Sequence, residues 1–147
     1  MCYLTLLSTS DDRDLSLSNT PLLRFDRALP GVPEESYLRF EHRWHVRSAS
    51  GCSCQLRHLM SPTEDFGFAE PADWYPEEAG DVEATRDFAC VARQLLRDGA
   101  HVDCVDAWAH GHPAAALLAG DIDVDLSQVD DRSFRFFENY RFNFVGA

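Results

Sequence analysis

Residues 37–60, YLRFEHRWHVRSASGCSCQLRHLM, decide how the chain is read. Even positions Leu38, Phe40, His42, Trp44 and Val46 alternate with Tyr37, Arg39, Glu41, Arg43, His45 and Arg47. Past a short Ser/Gly break, Cys52, Cys54, Leu56, His58 and Met60 alternate with Ser53, Gln55, Arg57 and Leu59. Strands place successive side chains on opposite faces, so period two on both sides of a break predicts a hairpin with one apolar face. Cross-strand partners share a face. That sets either His42 opposite His58, with Val46 opposite Cys54, or Trp44 opposite Cys54, with Val46 opposite Cys52. In both registers the two cysteines point inward.

The flanks fit a sheet. Cys2–Ser8 reads as a first strand and Leu22–Leu29 as a weaker second one, closed by the Pro/Gly loop PGVPEE. Residues 61–80 predict a long irregular segment whose aromatics, Phe66, Phe68, Trp74 and Tyr75, pack down. One long helix follows. Asp81 suits its N-cap, Gly99 its stop, and Val82, Thr85, Phe88, Ala89, Val91, Ala92, Leu95 and Leu96 form its apolar stripe. Cys90 falls on the opposite, solvent-facing side. Val102–Trp108 predicts a strand with Val102 and Cys104 on one face, HPAAALLAG a short helix, and DIDVDLS and the aromatic tail two more strands. Strands, a helix and more strands give α+β, a mainly antiparallel sheet packed on one long helix, as a single domain over 1–147.

Composition narrows the function. A net charge of −12 in 147 residues repels nucleic acid and anionic membranes. No apolar run approaches bilayer length, and the start MCYLTLLSTSDD lacks the basic region of a signal peptide, so a cytoplasmic location is expected. All 13 basic residues are arginine and Ile122 is the sole isoleucine, a pattern of GC-rich coding rather than of phosphate recognition. The acidity suits a basic protein partner, as in immunity or antitoxin-type modules, and equally serves solubility. Nothing in the composition opposes a homo-oligomer.

Five cysteines cannot pair completely, and thiols in a cytosolic chain stay reduced. A special role for them would be metal binding, nucleophilic catalysis or thiol sensing. On a regular strand the Cys52 and Cys54 sulfurs would sit about 6–7 Å apart. Two thiolates on one tetrahedral zinc need about 4 Å, so a bulge at Gly51 is required. Inward parity adds Cys2, His42 and His58, making Cys2, Cys52, Cys54, His42 and His58 the candidate ligands and zinc the candidate metal. The competing reading is that cysteine is a small hydrophobe filling a core. Removal of Met1 would also leave Cys2 with a free amine as base for its own thiol, the device of N-terminal-cysteine hydrolases.

Other motifs fail on spacing. His101 and Cys104 face opposite sides of one strand, and the HGH pair, His110 and His112, reads as loop. DIDVD opens like a calcium loop, but Leu126 stands where the turn needs glycine and Arg132 where it needs glutamate. Outward aspartates there fit an edge strand that resists edge-to-edge pairing.

Met1-Cys2 together with Tyr37 through Cys54 resembles small bacterial proteins that carry an N-terminal Met-Cys and a Gly-Cys-x-Cys hairpin. That resemblance implies no activity. It groups Cys2, Cys52 and Cys54.

Overall fold

The computed structural model describes residues 2–147. Strands are β1 (Tyr3–Thr9), β2 (Leu23–Asp26), β3 (His42–Ser48), β4 (His58–Leu59), β5 (Val102–Trp108), β6 (Gly120–Asp125), β7 (Phe136–Phe137) and β8 (Tyr140–Val145); the helix α1 is Ala79–Arg97. Six strands form one sheet in the order β2-β3-β1-β5-β8-β6, antiparallel except for the β6–β8 pair. The expected α+β fold with a mainly antiparallel sheet and one long helix is what forms.

Each face of β1 is buried. Leu7 lies beside Trp44 on one side and Cys104 on the other, and Cys104 pairs in turn with Phe142. This face carries the main core, into which α1 drives Phe88, Ala92 and Leu95. The opposite face is smaller: Leu6, Val105 and Ala107 pack with Leu38, under the 3-10 turn Pro33–Tyr37. A strand covered on both faces is apolar on both, which is why Leu4, Leu6 and Leu7 are all leucine rather than alternating with polar residues.

The predicted hairpin does not form. β3 is flanked by β1 and β2 and has no free edge for residues 52–60. The chain begins to turn back, with Ser48 N–H donating to Cys52 C=O at 2.6 Å, and Gly51 adopts the left-handed φ of +91° the turn needs. It then leaves β3. Ser53 N–H donates to Tyr3 C=O at 3.1 Å, so Ser53 takes the edge of β1 beyond the last β3 pair, Thr5–Val46. The short strand β4 pairs in parallel with β7 in a separate two-stranded sheet. Neither His42–His58 nor Trp44–Cys54 is a cross-strand pair. Parity is lost too: Ser53, Leu56, Arg57 and Leu59 are all buried. Arg57, expected outward, donates to both Glu77 carboxylate oxygens at 2.7 and 2.8 Å and to the Ala69 and Phe134 carbonyls.

Three smaller expectations also change. α1 begins two residues before Asp81, with Glu78 at the N-cap. HPAAALLAG forms no helix, and Leu117 is exposed. Phe66 and Trp74 do not pack down but stay exposed. β6 is the sheet's edge strand, with Asp121 and Asp123 facing out as expected.

Candidate thiol centre

Cys2 precedes β1, and Cys52 and Cys54 sit in the turn that follows β3. Their sulfurs lie within 4.8 Å of one another, and all three residues are half-buried. Among the described residues this is the only group of three or more His, Cys, Asp or Glu side chains close enough to share one ion.

Backbone pairing makes the cluster. Ala109 N–H donates to Cys2 C=O at 3.0 Å, tying the start of the chain to the end of β5. Ser53, between the two loop cysteines, is fully buried and bolted to two strands. Its hydroxyl accepts from Thr5 N–H at 2.8 Å and donates to Val46 C=O at 2.5 Å. With the middle residue of Cys-Ser-Cys turned into the sheet, its neighbours project together toward Cys2. The turn at Gly51 supplies the departure from strand geometry that bringing the sulfurs together requires.

Cys52 and Cys54 differ in acidity. Burial pushes the Cys52 thiol up, but hydrogen bonds from the Ser50 hydroxyl, the Cys54 amide and the Cys54 and Cys2 thiols outweigh it and bring its pKa to about 7. Burial pushes the Cys54 thiol up to about 12, and its hydrogen bond to Cys52 adds to the rise. Of the Cys52 and Cys54 pair, Cys52 therefore gives up its proton the more readily.

The two candidate histidines are elsewhere or occupied. His42 pairs with Thr9, at the far end of β1, about 20 Å from Cys2 by strand rise. Its Nε2 lies 3.2 Å from Glu41. His58 is close but fully engaged. Its Nδ1 is 2.8 Å from Asp106 and its Nε2 2.5 Å from the Ser53 carbonyl, while its ring stacks on Tyr3 at 3.9 Å. A carbonyl only accepts, so Nε2 carries a proton, and the Asp106 carboxylate draws a second onto Nδ1. Burial opposes that charge, but Asp106 and the Ser53 carbonyl raise the His58 pKa above its ordinary value. Both ring nitrogens are thus donors, and neither has a lone pair for a metal. His58 positions Ser53, and through it the loop.

The remaining cysteines stand apart. Cys104 is fully buried in the core, where its thiol pKa is raised by loss of hydration, and Cys90 is exposed on α1. His110 pairs with the buried Glu34. The hydrolase expectation depends on Met1, which lies outside the described residues.

A cavity of about 550 Å³ opens beside Cys54, walled by Tyr3, Trp108 and Tyr75 and edged by Glu78, Asp81 and Glu138. The sequence pattern did not single it out, because its residues come from distant segments joined only by the fold. The chain matches no family model, no curated protein and no solved structure.

Proposed function

We propose that Cys2, Cys52 and Cys54 bind one soft metal ion as thiolates, zinc being the ion such a donor set suits best. The observation that carries this reading is the convergence of three sulfurs, from two separated chain segments, to within 4.8 Å of one another. Tetrahedral zinc needs about 4 Å between thiolates, so small side-chain rotations would seat the ion. Three protein ligands leave a fourth position for water or an incoming ligand, the pattern of zinc sites that do chemistry rather than hold structure. The setting proposed is the reducing cytoplasm, where the thiols stay free.

Metal analysis and cobalt substitution test it. Purified protein should hold close to one equivalent of zinc, and cobalt should give the intense thiolate-to-metal absorption of a sulfur-rich tetrahedral site. Cys52→Ser with Cys54→Ser should abolish both. A metal-free protein with no cobalt spectrum, whose double variant is as stable as the parent, would overturn the reading.

The same cluster favours a second use as a thiol sensor, since adjacent half-exposed sulfurs are within reach of disulfide formation. The Cys52 thiolate attacks a hydroperoxide oxygen, breaking the O–O bond and releasing alkoxide, which leaves as alcohol after protonation. A neighbouring thiol then displaces water from the sulfenic acid to form the disulfide. Titration of free thiols before and after hydroperoxide treatment reads this out as loss of two thiols per chain, absent in Cys52→Ser.

A further inference from the structure

The cavity beside Cys54 has properties that metal binding leaves unused. Its walls are aromatic: Tyr3 and Trp108 meet edge to face at 4.7 Å, and Tyr75 lines it too; one face of Tyr3 is covered by His58, and Arg135 lies 5.7 Å over Tyr75. Its edge is anionic in excess: Glu78, Asp81 and Glu138 face one nearby imidazolium, His58, which acts on Asp81. Arg57, the only guanidinium lining it, is taken by Glu77, which also holds Arg135, and His58 is taken by Asp106. Glu78, Asp81 and Glu138 form no ion pair among the described residues; Glu138 accepts only the hydroxyls of Tyr3 and Ser61. Aromatic faces and unpaired carboxylates around one cavity complement an organic cation.

The surface continues outward from Tyr75. The Phe66 ring lies 5.5 Å from it, and Trp74 meets Phe66 edge to face at 5.2 Å. Trp74 is 69 % exposed and Phe66 43 %. Two large aromatics that brace each other in solvent, at the mouth of a cavity, are typical of a contact surface. The chain around them is uniformly acidic. From Leu59 to Thr85 there is one histidine-free, lysine-free and arginine-free run, with carboxylates at Glu64, Asp65, Glu70 and Asp73 before the cavity's own.

We propose that this surface docks a basic polypeptide, one of whose lysine or arginine side chains enters the cavity against Tyr3 and Trp108 while Trp74 and Phe66 pack on the chain beyond. A small amine would fill the cavity but would leave the exposed aromatics and the outer carboxylates unused. Burial and the neighbouring Glu78 raise the Asp81 pKa against the opposing pull of His58, and a bound cation would relieve the remaining penalty. The inference is independent of the metal reading, since none of the thiols is needed for it.

Fluorescence anisotropy with a fluorescein-labelled oligo-arginine peptide tests it, at about 0.15 M salt to screen distant charge. Glu78→Gln with Asp81→Asn should weaken binding about tenfold, since it removes two of the three carboxylates at the cavity's edge, one exposed and one half-buried. Trp74→Ala, on the exposed surface, should weaken it several-fold and keeps the test valid if the double variant misfolds. Asp12→Asn with Asp123→Asn removes the same charge from exposed sites elsewhere and should leave affinity within about twofold. Equal losses in both double variants would reduce the effect to net charge and overturn the proposal. So would an unaffected Trp74→Ala, or displacement of the peptide by butylammonium at comparable concentration, which would mark a small-amine site.

Discussion

Ser53 anchors the loop that carries Cys52 and Cys54. Its hydroxyl satisfies a buried N–H on β1 and a buried carbonyl on β3 at once. Ser53→Ala orphans both, and buried unsatisfied groups cost about 1–3 kcal/mol each at most. The variant should unfold at lower urea and bind cobalt more weakly, because the loop that aims Cys52 and Cys54 is released; unchanged cobalt affinity would show that the loop holds its shape without this bolt. His58 acts one step further out, and its effect depends on pH. Its folded pKa is raised, so the stability it contributes is fully present below its ordinary value of 6.5 and is lost as pH rises through the elevated folded value. The stability gap between the parent and His58→Gln should therefore narrow as pH rises, measured by urea unfolding across the range. A gap that widened would mean His58 is neutral in the fold. A sequence shows neither role, since Ser53 reads as an outward residue on a strand and His58 as a free ligand until the loop is seen to leave β3.

At the scale of elements, α1 supplies the core's least replaceable side chain. Phe88 is fully buried and packs against Phe134, Phe136 and Phe144 with ring centroids 4.9–5.9 Å apart. Phe88→Ala should cost about 3–5 kcal/mol, the usual range for a buried phenylalanine, and a urea midpoint barely moved would contradict that packing. The helix was legible because its stripe repeats at helical spacing from Val82 to Leu96 and needs no knowledge of the neighbours. So were β1, β3, β5, β6 and β8, whose patterns are long enough to identify a strand. What pairs with what was not legible. Residues 52–60 alternate as a strand would, yet β3 had already spent both edges on β1 and β2. Pairing is a long-range choice, and local period two carries no record of it. The candidate site shows the same division. Cys2, Cys52 and Cys54 were grouped correctly although the predicted hairpin was wrong, because the turn at Gly51 and the Ser53 anchor bring them together by another route. His42 failed because parity fixes a face but not a position along the strand.

At the scale of the whole molecule, metal binding would join parts of the fold that nothing covalent connects. Cys2 immediately precedes β1, one of the two central strands, whereas Cys52 and Cys54 belong to a turn that only hydrogen bonds hold against it. An ion bound by all three clips that turn to the centre of the sheet in the folded state alone, since the unfolded chain has no preformed site. Ligand linkage then sets the size of the effect: free metal at about one hundred times its dissociation constant adds about 2.7 kcal/mol to stability. For a chain of this size that corresponds to a rise in melting temperature of several degrees. Zinc should raise the melting temperature of metal-free protein in a concentration-dependent way, and a chelator should reverse it. The Cys2→Ser, Cys52→Ser, Cys54→Ser triple variant should melt at one temperature whatever the metal concentration. Calcium and magnesium, which prefer oxygen donors, should shift neither protein, whereas an equal rise with magnesium would place the effect in the acidic surface rather than in the thiols. Because the −12 net charge also attracts divalent ions without a site, the thiol-dependent difference between the two proteins, rather than the rise itself, identifies the centre.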